Sequence, residues 1–119
     1  MQTADILDTI NLHYYERKGL EGIIAHLARK FPSIRKIILY GSKARGEFAE
    51  DSDLDLLFIT AGELPRSVKF EISDVIYNYE LDNDIVVSAV FVPEADFERK
   101  VSLLLKSVKR EGIVLWSRE

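Results

Sequence analysis

A polar segment between two short apolar runs constrains the fold of this chain more than any other feature of its sequence. Residues 37–40 (Ile-Ile-Leu-Tyr) lead into Gly41, and Asp53 and Asp55 lead into residues 56–59 (Leu-Leu-Phe-Ile). Apolar and β-branched runs of this length, bounded by glycine and polar residues, predict buried strands. We therefore expect a strand, a glycine turn and a second strand that opens with two carboxylates.

Asp53 and Asp55 are candidate metal ligands. Residues two apart on a strand project from one face, with Cα atoms about 6.5–7 Å apart. Two carboxylates facing one way need a compensating cation, and oxygen ligands of this kind suit Mg²⁺. Two such ions can stabilise the attacking and leaving oxygens of a displacement at phosphorus. The alternative for Asp-x-Asp taken alone is an acidic strand entrance that serves only solubility.

A third carboxylate is expected just ahead of the third predicted strand, where Asp82 and Asp84 are the candidates. Asp84 is favoured because it adjoins the apolar run, and by strand alternation it would share a face with Val86 and Ser88. Its role would be to bind a second metal ion and to accept the proton of an attacking hydroxyl. The alternative is an aspartate in a turn, where this residue type is common.

The segment after the first strand is a candidate phosphate loop. Gly41 lets the backbone approach a ligand closely, and Ser42 can cap a short helical turn or bond a phosphate oxygen. Gly46 closes that turn, and Lys43 and Arg45 add positive charge close by. The alternative for Lys43 and Arg45 is a solvated surface pair.

The spacing of apolar residues predicts an α+β fold. The sheet should have about four strands in a mixed or antiparallel arrangement, with helices packed mainly on one face. One domain is expected over residues 1–119, with a core at about 20–116 and a helical extension at 1–19. The predicted helices are 20–31, preceded by another helical stretch, then 65–80 and 94–110; the predicted strands are 34–40, 54–60, 85–92 and 113–116.

Composition excludes several classes of protein. With 119 residues, 47% of them hydrophobic and a net charge of −4, the chain suits one globular domain and does not favour strong nucleic-acid binding. It has no cysteine, which excludes disulfides, thiol nucleophiles and Cys-based zinc sites. Neither a long apolar run nor a cleavable leader is evident, so we expect a cytoplasmic protein without membrane contact. His13 and His26 are interpreted as ordinary helix residues.

On these residues, the chain resembles a minimal nucleotidyltransferase of the DNA polymerase β-like superfamily. That family carries Gly-Ser, then Asp-x-Asp, and a third Asp on a later strand; here ten residues separate Ser42 from Asp53. The fuller pattern Gly-Ser-[Arg/Lys]-Ala-Arg-Gly followed by Ser-Asp-x-Asp-Leu is met by residues 41–46 and 52–56. The resemblance covers about residues 20–116.

The resemblance implies a role for each residue of the motif. Gly41 and Ser42 would hold the triphosphate of ATP, and Arg45 would contact phosphate. Asp53 and Asp55 would bind Mg²⁺, with two ions expected. Asp84 would complete the triad and activate the acceptor hydroxyl.

The resemblance also implies the reaction and a partner. Small members of the family act as antitoxins beside a HEPN-domain ribonuclease toxin, to which they add AMP on a tyrosine. We therefore expect transfer of AMP from ATP to a hydroxyl of such a toxin. Two alternatives stay open, namely a non-catalytic module that blocks its partner by occlusion and a small-molecule enzyme of the antibiotic-modifying kind, which the short chain disfavours. An exposed apolar face of the N-terminal helices could serve the partner or a homo-oligomer.

Overall fold

The computed structural model describes residues 2–47, 53–99 and 102–118. Helices and strands follow one another there in nearly the predicted order. The helices in these ranges are α1 (Thr3–Asp8), α2 (Tyr14–Lys30), α3 (Arg66–Asn83), α4 (Glu94–Arg99) and α5 (Leu103–Glu111), and the strands are β1 (Ile34–Tyr40), β2 (Leu54–Thr60), β3 (Val87–Pro93) and β4 (Ile113–Ser117).

The four strands form one mixed sheet in the order β3-β2-β1-β4. β1 pairs antiparallel with both β2 and β4, whereas β2 pairs parallel with β3. Helix α3 connects the two parallel strands, because such strands need a crossover connection. The predicted mixed sheet of about four strands is confirmed.

Helices cover both faces of the sheet, although the longer ones share one face. A large apolar cluster joins α2 and α3 to one side of the sheet, including Leu20, Ile72 and Phe58. A smaller cluster joins α5 to the other side through Leu105 and Val108. Six of the seven residues of β2 are buried, as expected for a strand enclosed on both faces.

The N-terminal segment is part of the packed structure. Helix α2 runs without a break through Gly19, where a Cβ atom would come within 2.5 Å of the Ile85 side chain. The glycine therefore permits close packing between α2 and the segment ahead of β3. Helix α1 lies against β4, where the Thr3 hydroxyl donates to the Leu115 carbonyl at 2.8 Å.

Two predicted boundaries are wrong. The helix expected over 94–110 is two helices, because Ser102 has an extended backbone and its hydroxyl accepts from the Leu105 N–H at 3.2 Å, which begins α5. The strand expected from Ile85 begins at Val87, since α3 continues to Asn83. In the part of the chain that the structure describes, no helix is long and apolar enough to cross a membrane.

Candidate active site

The sheet topology brings the candidate residues to one end of the sheet. Because β1 and β2 are antiparallel, the end of β1 lies beside the start of β2, and Tyr40 pairs with Asp55. Because β2 and β3 are parallel, the start of β3 lies at the same end, where Asp55 pairs with Ser88. The glycine turn, the aspartate pair and the entrance to β3 are therefore neighbours.

Gly41 packs directly against the Asp55 carboxylate. Its backbone has φ +77°, a left-handed conformation that favours glycine. A Cβ atom at this position would overlap with an Asp55 carboxylate oxygen. Glycine is therefore required here for two reasons: it allows the chain to turn, and it leaves room for the Asp55 carboxylate.

Replacing Gly41 by alanine is expected to lower stability by about 1–2 kcal/mol and to displace the Asp55 carboxylate. Urea denaturation measures the first effect, and a nucleotide-binding titration measures the second. The matched control is Gly46→Ala, because Gly46 has φ +82° and a Cβ there would meet no described atom within 4 Å. Equal losses of nucleotide affinity in both variants would show that the contact with Asp55 is unimportant.

The residues after Gly41 form a compact turn. The Arg45 N–H donates to the Gly41 carbonyl at 3.1 Å, and the Glu47 N–H donates to the Ser42 carbonyl at 3.0 Å. The first bond closes one helical turn, so the earlier N–H groups, such as that of Ser42, are not used within it. Amides in this position favour an anion, and phosphate binding by Gly41 and Ser42 stays a prediction.

Lys43 is not the solvated surface residue of the alternative interpretation, because its side chain is fully buried. Its Nζ lies 3.1 Å and 3.2 Å from the two carboxylate oxygens of Glu16, in the first turn of α2. Glu16 is also buried and accepts from the His13 N–H at 2.8 Å.

Arg45 is the exposed cation of the loop. Its guanidinium lies 3.2 Å from Glu47 and 3.1 Å from Glu111. Hydrogen bonds and the charge of Glu47, followed by those of Glu111, raise the pKa of Arg45, so that it stays charged. Exposed pairs of this kind contribute little to stability, which leaves the guanidinium available to a stronger anion.

The aspartate pair has the electrostatics of a cation site. Burial, and after it the charge of Asp53, raises the pKa of Asp55, whereas Arg45 lowers it. Asp53 is exposed and Asp55 half-buried. Burial and then the charge of Asp55 also raise the pKa of the neighbouring Tyr40. A divalent cation would relieve the repulsion between the two carboxylates, so these residues fit such an ion.

Asp84 does not lie on β3, so the argument from strand alternation is wrong. It is the C-cap of α3, with φ 55° and ψ 49°, and its side chain is exposed. Aspartate tolerates this left-handed conformation, which explains why α3 can end here. No group of three His, Cys, Asp or Glu residues able to hold a metal ion occurs among the described residues. The assignment of Asp84 as third carboxylate stays a prediction.

The sequence did not predict a site role for two residues of this region. Ser88 is aligned with Asp55 across the parallel pair, and the only signal was a polar residue within an apolar strand. Glu16 holds Lys43 from 27 residues away, and its signal was a glutamate three residues after the N-cap of a helix, here His13. Ser52 of the motif lies outside the described residues.

Comparison with known proteins finds matches over most of the chain. The family described as "Nucleotidyltransferase domain" matches residues 20–115. The Methanocaldococcus jannaschii protein "Putative protein adenylyltransferase MJ0604" is 32% identical over 104 residues, which are 85% of this chain and 98% of that protein.

Solved structures share the fold. A chain of the "Crystal structure of the toxin-antitoxin with AMP-PNP" is 25% identical with a TM-score of 0.60, over 83% of this chain and 73% of that chain. The "Structure of putative minimal nucleotidyltransferase" is 29% identical with a TM-score of 0.57, over 87% of this chain and 97% of that chain.

Proposed function

Because the chain belongs to the nucleotidyltransferase domain family, we propose that it is an active, magnesium-dependent enzyme that transfers AMP from ATP to a hydroxyl of a partner protein. The observation that carries this proposal is the contact between Gly41 and Asp55. Through it, a turn suited to phosphate adjoins a pair of carboxylates suited to a cation. The chain would act as one domain, in the cytoplasm.

Different residues of the site would bind the triphosphate and the Mg²⁺ ions. Gly41, Ser42 and the turn amides would take the triphosphate, and Arg45 would exchange its exposed glutamate partners for phosphate. Asp53 and Asp55 would hold Mg²⁺, with two ions proposed. Bound Mg²⁺ supplies charge neutralisation at the phosphates. The protein would thus contribute mainly orientation and electrostatics, as phosphoryl chemistry requires.

Asp84 is proposed as the third carboxylate, and its position just ahead of β3 supports this role less than a position on the strand would. Asp84→Gly separates catalysis from structure, because glycine suits φ 55° at least as well as aspartate. We expect nucleotidyl transfer to fall while thermal stability is kept or rises. Full transfer activity in Asp84→Gly would show that Asp84 is not part of the site. Asp82→Gly is the control variant.

A protein acceptor is proposed on the strength of the relatives. The Methanocaldococcus jannaschii relative carries the name "Putative protein adenylyltransferase MJ0604". One solved structure that shares the fold is a toxin–antitoxin with AMP-PNP, an ATP analogue. We propose the same chemistry here, with a tyrosine of a HEPN-type toxin as the acceptor and the chain as its antitoxin.

A labelling experiment tests the function. The protein is incubated with α-labelled ATP, Mg²⁺ and the product of the neighbouring gene, and Asp53→Asn/Asp55→Asn serves as the inactive control. Label on a tyrosine of the partner, absent with the double variant and with EDTA, is the expected result. Label only on an added small alcohol would contradict a protein acceptor.

A second candidate function is neutralisation by occlusion, without transfer. It is favoured by an exposed apolar stripe on one face of α3, where Phe70, Tyr77 and Leu81 are between 56% and 63% exposed. In this case the double variant would bind and inhibit the partner as well as the wild type does, and no label would be transferred.

A further inference from the structure

The Lys43–Glu16 ion pair joins the phosphate loop to the N-terminus of α2. Lys43 lies in the turn that begins at Gly41, two residues from the contact between Gly41 and Asp55. Its ammonium reaches a carboxylate 27 residues away in the chain. The pair is therefore a tertiary contact, which fixes the turn relative to a rigid helix.

Burial of the ion pair restricts the turn to arrangements in which Lys43 stays paired with Glu16. The side chains of Lys43 and Glu16 are 0% and 5% exposed. A buried ammonium without a carboxylate is costly, so any arrangement of the turn that withdraws Lys43 from Glu16 is disfavoured. Exposed pairs such as Arg17–Glu21 impose no such restriction, because water can replace either partner.

Glu16 is itself held in place. One of its oxygens accepts from the His13 N–H, so the carboxylate caps α2 while it binds Lys43. Negative charge in the first turn of a helix is also favoured by the helix dipole. The carboxylate thus has little freedom to move with the loop.

We propose that Lys43 and Glu16 are positioning residues for nucleotide binding, and that Lys43 does not contact the nucleotide. The pair holds the turn in the conformation in which Gly41 packs on Asp55 and the first turn amides face the phosphates. Lys43, the third residue of the loop, thereby affects nucleotide binding only by holding the turn in place. Arg45 is then the cation of the loop that contacts phosphate. The link to nucleotide binding depends on the proposed function, whereas the effect on the loop does not.

Glu16→Gln is the test, because glutamine keeps the size and an oxygen for the His13 N–H but removes the charge that Lys43 needs. Hydrogen exchange of the amides in residues 41–47 reports the order of the loop without nucleotide. Calorimetry with Mg²⁺ and a non-hydrolysable ATP analogue reports affinity. We expect exchange to accelerate more in the loop than in the core strands, and a Kd that rises between about tenfold and a hundredfold.

Two control variants complete the experiment. Lys43→Arg keeps the charge and can pair with the Glu16 carboxylate, but its guanidinium is larger than the buried site of Lys43, so its Kd should rise less than that of Glu16→Gln. Glu21→Gln removes a carboxylate from the exposed pair on the same helix and should change neither measurement.

The outcomes are distinct. Unchanged loop exchange in Glu16→Gln, or faster exchange with an unchanged Kd, overturns the positioning role. A wild-type protein that binds no ATP analogue overturns both the proposed function and the link to nucleotide binding, and loop exchange then still decides whether the pair orders the turn. If Lys43→Arg lost as much nucleotide affinity as Glu16→Gln, the proposal would also be contradicted. The positive charge at residue 43 would then be kept, and nucleotide binding would still be weakened.

Discussion

Replacing Asp55 by asparagine is expected to abolish nucleotidyl transfer and, at neutral pH, to make the folded protein more stable. Transfer should fall by about a thousandfold or more, because a proposed Mg²⁺ ligand beside the phosphate loop loses its charge. Stability should rise because burial and the charge of Asp53 disfavour the ionised Asp55 carboxylate, as its raised pKa indicates. Both effects arise from the negative charge of Asp55, because the reaction needs this charge to bind Mg²⁺ while the folded protein disfavours it.

The pH dependence of this stabilisation has a definite sign. The pKa of Asp55 is higher in the folded protein than its ordinary value of 3.8, so the folded state binds the proton more tightly. The advantage of Asp55→Asn should be fully present above the folded-state pKa, decline as the pH falls through it, and vanish below about 3.8, the unfolded value. Because the carboxylate is partly solvated, a melting-temperature gain of only about 1–3 °C is expected.

Thermal unfolding in EDTA and in Mg²⁺ checks this expectation. In EDTA the variant should melt above the wild type, whereas Mg²⁺ should stabilise the wild type alone and reduce or reverse the difference. Asp74→Asn, on the exposed surface of α3, is the matched control and should change neither transfer nor stability. A variant that melts below the wild type in EDTA at neutral pH would show that Asp55 has a structural role.

Lys43→Met is expected to cost the largest amount of stability of any single change in the loop. It leaves the buried Glu16 carboxylate without its ammonium, and breaking a buried pair in this way costs about 3–5 kcal/mol. Urea denaturation followed by circular dichroism measures the loss. Arg17→Met is the control, because Arg17 forms exposed pairs with Asp8 and Glu21 that are worth about 1 kcal/mol or less.

The double variant Glu16→Met/Lys43→Met extends this prediction. An apolar pair of similar size removes both charges, and such replacements are often neutral for stability. It should therefore be more stable than Lys43→Met alone. A double variant as unstable as the single one would mean that losing the Glu16 cap on α2 costs as much as the unpaired carboxylate does in Lys43→Met.

The sequence was sufficient to predict the parts of the fold and site that depend on local patterns. The runs that became β1 and β2 were apolar and bounded by glycine or aspartate, so both strands were predicted at residues 34–40 and 54–60. The phosphate loop and the aspartate pair were expected as neighbours because the segment 41–53 joins the end of one strand to the start of the next. The pairing of Tyr40 with Asp55 brings the two ends of that segment together.

The features that the sequence could not predict depend on contacts between distant residues. The burial of Lys43 requires Glu16 from a different helix, and no local pattern links the two. The sequence predicts Asp84 directly ahead of a strand because Ile85-Val86-Val87 looks extended, but α3 continues to Asn83 and places Asp84 at its cap. The alignment of Ser88 with Asp55 depends on the register of a parallel pair, which loop lengths do not determine.

The strand order also affects how the chain can fold during synthesis. β1 lies between β2 and β4, and Leu39 pairs with Ile113, so the sheet joins segments from opposite parts of the sequence. Such non-local pairing slows folding and delays the burial of apolar surface. While the ribosome is still translating the chain, one edge of β1 has no partner and can pair with other extended segments. We therefore expect the free edge of β1 to aggregate or to bind a chaperone until residues 113–117 have left the ribosome and β4 can pair with β1.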